Sequence, residues 1–235
     1  MRASVLEHLE ELRWRLLASL AAVTLVTGVA SFFANPLLEF LITPLKAFGD
    51  YTLYFHSPYE GFLTYLKVAL FTGILAASPV IFMELWLFVS PGLHRKERKL
   101  AASLVAASLA LFLIGAALAF WVIVPWGLQF FLGFQTDSLR PLLAVGPYLS
   151  FLVGTVLATG VVFDLPVVLL GLVGVGVLTP EALKKARRAV VIVFFIVTAV
   201  VTPTTDPLTQ ILLTAPLVLL YEGCILIARW MKRKG

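Results

Sequence analysis

The chain has 235 residues, of which 60% are hydrophobic and only 13% are charged. Its mean hydropathy is +1.00, more apolar than a soluble domain of this length needs, so a soluble fold is excluded. The single cysteine, Cys224, excludes a disulfide framework and any CxxC metal or redox pair. Apolar runs of about 20 residues recur along the chain, the length that crosses a bilayer. The composition predicts an all-α polytopic membrane protein with one integral membrane domain over residues 1–235.

The chain opens with an amphipathic segment, residues 1–15. Apolar side chains fall on one side of a helical wheel and acidic side chains on or toward the other, which predicts a cytoplasmic lead-in helix at the membrane surface. Within it, Glu11 and Arg15 have the spacing of an i,i+4 ion pair. The apolar run that follows is read as an uncleaved signal anchor. Residues 36–57 are predicted to form a mixed loop that contains Pro44.

Six membrane-spanning helices are predicted in chain order. They cover residues 16–34, 61–89, 100–126, 148–170, 189–201 and 208–228. A short basic helix over residues 180–188 precedes the fifth span, with Thr179 as its N-cap. The fifth span has only 13 residues and rises about 20 Å, less than the bilayer core. A short hairpin of the fifth and sixth helices would thin the bilayer locally; ordinary mismatch relieved by neighbouring helices is the alternative.

Lysine and arginine side chains predict the orientation of these spans. Fifteen of the 18 lie in the N-terminal segment, in the turns after the second and fourth spans, or in the basic tail of residues 229–235. By the positive-inside rule, both termini lie in the cytoplasm and the chain crosses the inner membrane six times. The excess positive charge therefore reflects topology and does not indicate nucleic-acid binding.

Asp164 is the most isolated charge in the sequence. No other charged residue lies between Arg140 and Glu181, and a carboxylate at membrane depth costs about 2.5–3.5 kcal/mol on insertion scales. Pro166 lacks the N–H that would bond the carbonyl of Val162, so a backbone acceptor is freed nearby. A charge beside a broken helix predicts an intramembrane polar site. A structural hydrogen bond between helices is the alternative.

Acidic residues also lie on the basic side of the membrane. Glu97 is the only acid in a turn with four cations, and Glu11 lies in the lead-in. Taken singly, each acid is explained by a local ion pair that stabilises the fold by about 0–1 kcal/mol. Carboxylates there would also suit the capture of a cationic ligand, because paired guanidinium groups prefer planar carboxylate partners. In the fifth–sixth hairpin, threonines and Gln210 offer hydrogen bonds to another membrane helix or to the hairpin's own bundle.

Two other classes of function were weighed. An intramembrane enzyme is disfavoured because no serine follows a glycine by two positions, no HExxH occurs and the three histidines are far apart in sequence. No cofactor or metal is expected. A proton- or cation-coupled transporter of small solutes is the stronger alternative, with Glu84, Asp164 and Glu222 as a path, but no internal repeat is evident.

Several motifs occur in one characteristic order. They are HLEELRWRL at residues 8–16, SPYEGF at 57–62, ASPV at 77–80, SPGL at 90–93 followed by Glu97-Arg98, FDLP at 163–166, and the stretch from Thr202 to Gln210. In this set the chain resembles the TatC family, the multispanning subunit of the twin-arginine protein translocase.

The resemblance implies a six-span receptor, not an enzyme, that binds Arg-Arg signal peptides of folded proteins. It also implies recruitment of single-span TatA/TatB-type subunits, homo-oligomerisation within a hetero-complex, and transport driven by the proton-motive force. The residues concerned are grouped by role. Those implied in signal-peptide binding are Glu11, Glu97, Arg13 and Phe88, and the intramembrane polar site is Asp164. Those implied in partner-subunit contact are Thr202, Asp206 and Gln210. The prolines Pro44, Pro79 and Pro166 are implied in the shape of the protein.

Overall fold

The computed structural model describes residues 5–49, 51–89, 98–136, 141–174, 176–201 and 207–234. Nine α-helices and one π-helical turn lie within these ranges. They are α1 Val5–Ser31, α2 Ala34–Lys46, α3 Glu60–Val89, α4 Arg98–Leu118, the π turn Ala119–Ile123, α5 Val124–Leu132, α6 Val145–Phe163, α7 Leu165–Gly174, α8 Pro180–Val201 and α9 Pro207–Lys234. The described residues form no β-strand, and Tyr54 and Ala144 form one isolated parallel bridge.

Helical segments long and apolar enough to cross a membrane confirm the predicted class. Four meet both criteria within the described residues: Glu7–Ser31, Glu60–Phe88, Ala102–Leu132 and Val145–Gly174. Helices α8 and α9 contain the predicted fifth and sixth spans, but over the described residues neither helix meets both criteria. The chain is therefore a polytopic helical membrane protein, as its composition predicted.

Helix boundaries differ from the prediction where polarity changes along the chain. Helix α1 runs unbroken through the predicted lead-in and first span, and α8 joins the basic segment to the fifth span. The predicted loop over residues 36–57 is wrong for its first part. Helix α2 includes Pro44 and buries Leu41 and Leu45. The helical segment also extends beyond the predicted end of the third span at Trp126, because α5 continues to Leu132.

Two prolines mark adjustments inside the long spans. Pro79 lies within α3 and cannot donate to the carbonyl of Leu75, so the Ser78 hydroxyl donates to that carbonyl instead, at 2.6 Å. Pro125 follows the π turn, where the Val124 N–H donates to the Ala119 carbonyl across five residues. Local substitutions of this kind let a helix continue past proline within a membrane.

Residue contacts divide the chain into two compact units. The first comprises Met1–Leu41 and His56–Leu109, and within it α1 packs along α3. The two helices approach so closely that a Cβ on Gly73 would clash with Thr27. At the far end of α3, the Trp86 indole N–H donates to the Ser108 hydroxyl at 3.0 Å, and both side chains are buried. These contacts fix the end of α3 that precedes the turn predicted after the second span.

The second unit comprises Ile42–Phe55 and Ala110–Gly235. Its core draws on α6, α8 and α9. The buried members are Val162, Phe163, Leu183, Phe194, Leu217, Tyr221, Cys224, Ile225 and Ala228. Two hydrogen bonds tie α9 into this core. The Tyr221 hydroxyl donates to the Leu183 carbonyl at 2.7 Å, and the Cys224 thiol to the Pro166 carbonyl at 3.4 Å.

Candidate functional site

Glu11, the first predicted signal-peptide residue, already holds a guanidinium group. Arg15 lies one turn later on α1 and donates from Nε at 3.0 Å and from Nη2 at 2.6 Å, both to Glu11 Oε1. The predicted i,i+4 ion pair is therefore confirmed. Arg13 lies on the same helix with its side chain exposed. The carboxylate and guanidinium groups are only partly buried, so the protein itself does not close them off from a ligand.

A second acid shares the same guanidinium group. Arg15 Nη1 donates at 3.0 Å to Oε2 of Glu84, which lies on α3, 69 residues further along the chain. Glu84 was considered from the sequence only as part of a transport path. Its side chain is 17% exposed, against 32% for Glu11, so the protein covers neither acid completely. The structure thus places Glu84 beside Glu11, a juxtaposition that the sequence gives no local signal to find.

Phe88 lies one turn beyond Glu84 on α3. Its ring stacks on the His8 imidazole of α1, with centroids 4.4 Å apart and planes inclined by 17°. Because α1 and α3 run antiparallel, His8 and Phe88 meet at the same end of the helix pair as the acids. Glu97 lies outside the described residues. An aromatic platform and two carboxylates therefore lie side by side at the predicted cytoplasmic end of this unit.

Asp164 lies where α6 ends and α7 begins. Its φ and ψ are −78° and −17°, and its carbonyl accepts hydrogen bonds from the N–H groups of Val167 at 2.9 Å and Val168 at 3.1 Å. The predicted interruption near Pro166 is therefore present, as a break between two helices. The Asp164 side chain is buried, at 7% exposure, although it is ionisable. Its surroundings are those of a residue inside a packed helical unit.

The α8–α9 pair uses its polar side chains internally. The Thr198 and Thr214 hydroxyls are buried and lie 3.0 Å apart, and the Gln210 amide donates to the Phe195 carbonyl at 2.9 Å. The predicted partner contacts Thr202 and Asp206 lie outside the described residues. Of the two readings left open by the sequence, the structure shows hydrogen bonding of the hairpin to itself. Thr198 was missed because nothing in the sequence distinguishes it from other membrane threonines.

An ion pair not foreseen from the sequence joins the same two helices. The Arg187 guanidinium donates to Glu222 Oε2, so the cationic end of α8 is tied to α9. Arg187 had been interpreted only as a topology signal, and Glu222 only as part of a transport path. Two of the three acids of that alternative, Glu84 and Glu222, are each paired with an arginine of their own unit.

The three predicted shape residues lie inside helices. Pro44 in α2 and Pro166 in α7 are buried, whereas Pro79 in α3 is exposed. Each removes one backbone donor from its helix, and the Leu75 carbonyl near Pro79 has a side-chain replacement. Among the described residues, no three His, Cys, Asp or Glu side chains lie close enough to share a metal ion.

Comparison with known proteins identifies related chains over nearly the whole length. The family described as "Sec-independent protein translocase protein (TatC)" matches residues 7–216. The TatC protein of Desulforapulum autotrophicum is 41% identical over 230 residues, covering 97% of this chain and 85% of that protein. The chloroplastic TATC protein of Arabidopsis thaliana is 39% identical over 220 residues, covering 94% and 64% respectively.

The structure of the chain also resembles a solved structure. The crystal structure of the twin-arginine translocase receptor TatC in DDM superposes with a TM-score of 0.81 at 37% sequence identity. The match covers 94% of this chain and 99% of the crystallised chain. Fold and sequence therefore point to the same family.

Proposed function

We propose that this chain, which belongs to the TatC family of Sec-independent protein translocase components and is not an enzyme, is the receptor for twin-arginine signal peptides. The peptide's guanidinium groups bind Glu11 and Glu97 at the cytoplasmic surface, with Arg13 and Phe88 as further contacts. Its hydrophobic segment then enters the bilayer beside the helices. The chain lies in the inner membrane with both termini in the cytoplasm.

One observation carries this proposal: Glu11 binds a guanidinium group within its own chain. The two N–H groups of Arg15 that converge on Glu11 Oε1 make the charge-assisted contact expected of a peptide arginine. The neighbouring Phe88 ring offers a flat surface of the kind on which guanidinium groups stack. Carboxylate and aromatic ring lie together on the α1–α3 pair, so one short peptide segment can reach both.

Binding of a fluorescent twin-arginine peptide to the full chain in lipid nanodiscs tests the receptor function. Glu11→Gln and Glu97→Gln should each raise the Kd about tenfold, because each removes one charge-assisted contact worth about 1.5 kcal/mol. A twin-lysine peptide serves as the control ligand, since its point charges cannot make bidentate contacts. Equal affinity of both variants and both peptides would contradict the proposal.

The hairpin of α8 and α9 is proposed as the surface for single-span TatA/TatB-type subunits. Thr202, Asp206 and Gln210 are the residues assigned to this contact. The Gln210 side chain is only partly buried while its amide N–H is bonded to the Phe195 carbonyl, so its amide oxygen remains to accept a bond from another helix. Assembly with these subunits forms a hetero-complex that contains several copies of this chain, and the proton-motive force drives transport.

A crosslinking experiment tests this surface. A photoreactive amino acid at Gln210 should crosslink to a single-span subunit in membranes, whereas the same group at Leu226, exposed further along α9, should not. Crosslinking of equal yield at both positions would contradict a specific contact at Gln210.

A further inference from the structure

Arg15 bridges two acids that come from different helices. Its Nη1 group contacts Glu84 on α3, while Nε and Nη2 both contact the single oxygen Oε1 of Glu11 on α1. The two contacts thus use separate edges of the guanidinium fork. The Glu84 contact, at 3.0 Å, therefore uses none of the N–H groups that bond Glu11.

The charges of this cluster do not balance. Among the side chains that the structure describes here, two carboxylates share one guanidinium, so these three groups carry one excess negative charge, and Arg15 contacts neither Glu11 Oε2 nor Glu84 Oε1. A second guanidinium that binds Glu11 would balance these charges, because Glu11 would then pair with the incoming group and Glu84 with Arg15. The exposures of 24% for Arg15 and 32% for Glu11 show that the protein leaves part of this pair uncovered, where an incoming group can contact it.

We propose that Arg15 is an internal ligand of the signal-peptide site and that Glu84 is the acid that retains Arg15 when a peptide guanidinium takes Glu11. Before binding, Arg15 occupies Glu11. On binding, the peptide arginine displaces it, and Arg15 remains held by Glu84 without losing all its partners. Glu84 is thus a positioning residue of the site, and this inference rests on the receptor function proposed above.

The exchange has a physical rationale. An arginine displaced from its only carboxylate would compete with the peptide, and the full loss of that contact would subtract from the peptide's affinity. A second acid within reach keeps most of the interaction, so displacement costs less. The same arrangement favours arginine over lysine as the incoming ligand. Lysine offers a single point charge and competes less well than arginine with a guanidinium that already uses two N–H groups on Glu11.

A purely structural role for the cluster makes opposite predictions. If Arg15 only fastened α1 to α3, removing either Arg15 or Glu84 would loosen the site and weaken peptide binding. If Arg15 competes with the peptide, removing it strengthens binding, and removing Glu84 weakens binding only while Arg15 is present. The coupling between the two substitutions therefore separates the two roles.

The test is a double-mutant cycle on peptide affinity with the full chain in nanodiscs. Glu84→Gln should raise the Kd for a twin-arginine peptide about two- to fivefold, the range for a partly exposed charge pair. Arg15→Gln should lower the Kd about two- to fivefold. In the Arg15→Gln background, Glu84→Gln should change the Kd by less than about twofold. Glu181→Gln, an exposed acid on α8, controls for the change in net charge.

The outcomes distinguish this inference from the proposed function. If the wild-type chain does not prefer the twin-arginine to the twin-lysine peptide, both are overturned. If it does, but Glu84→Gln has the same effect with and without Arg15, the inference alone is overturned. Thermal unfolding of each variant checks folding. Should Glu84→Gln fail to fold, Arg15→Gln decides alone, because weaker binding would show a structural role and tighter binding a competing one.

Discussion

Ser78 shows how one side chain compensates for a defect made by its neighbour. Pro79 removes the N–H that would bond the Leu75 carbonyl in the middle of α3, and the buried Ser78 hydroxyl donates to that carbonyl at 2.6 Å. A buried acceptor without a partner is costly, and costlier still in a membrane. Ser78 therefore allows α3 to pass a proline without exposing a polar group.

Ser78→Ala should destabilise the protein by about 1–2 kcal/mol, because it leaves the Leu75 carbonyl without this donor. Denaturant unfolding of the chain in detergent measures the change. Ser31→Ala is the matched control, since the Ser31 hydroxyl also donates to a helix carbonyl, that of Gly28 at 2.7 Å, but at an exposed site. Comparable losses in the two variants would argue against burial as the cause.

Asp164 permits a test of whether its charge serves transport or folding. It is buried at a helix junction, and Asp164→Asn keeps its size while removing its charge. If the charge serves assembly or transport, the variant should fold and insert normally but export a twin-arginine substrate several-fold more slowly. Cell fractionation with an export assay measures both. Loss of the protein from the membrane fraction would instead indicate that Asp164 has a structural role.

How far the sequence predicted the site depends on the distance between partners along the chain. Glu11 and Arg15 are four residues apart, and helical geometry alone predicted their pairing. Glu84 and Phe88 meet α1 only through tertiary packing, which no local pattern encodes. The isolation of Asp164 was visible as a charge in an apolar run, but its burial at a helix junction required the fold.

At the scale of helices, the change from polar to apolar sequence was a poor guide to where a helix begins or ends. The changes from polar to apolar sequence inside α1 and α8 were interpreted as boundaries, yet both helices continue. Backbone hydrogen bonding does not depend on whether a side chain meets water or lipid. Where a capping residue was used instead, the prediction was confirmed: Thr179 Oγ1 accepts the Ala182 N–H at 3.2 Å and α8 begins at Pro180.

Helix α6 permits a direct test of close helix packing. A Cβ on Gly160 would lie 2.8 Å from the Phe112 ring and 3.2 Å from its carbonyl oxygen, whereas nothing lies within 4 Å of a Cβ on Gly154. Gly160→Ala should therefore destabilise the second unit by about 1–3 kcal/mol through overpacking. Gly154→Ala should be neutral or stabilise by up to about 1 kcal/mol through helix propensity. Thermal unfolding compares the two variants, and equal effects would contradict the packing explanation.

At the scale of the whole molecule, the acids decide between the candidate functions. A coupled transporter needs acids that bind and release protons or cations along a path. Glu84 and Glu222 instead form ion pairs with Arg15 and Arg187, each within its own unit. Each of these two carboxylates therefore already has a guanidinium partner in the fold. The arrangement suits a receptor whose acids recognise guanidinium groups.

The orientation predicted from the cations can be tested with single cysteines. Native Cys224 is buried at 2% exposure and bonded to the Pro166 carbonyl, so the wild-type chain should not react with an impermeant maleimide. Thr52→Cys and Ala182→Cys each place a thiol at an exposed position and leave every charge unchanged. With both termini in the cytoplasm, Thr52→Cys should be labelled in intact spheroplasts. Ala182→Cys should react only after the membrane is opened, and the reverse pattern would invert the topology and move the Glu11 site away from the cytoplasm.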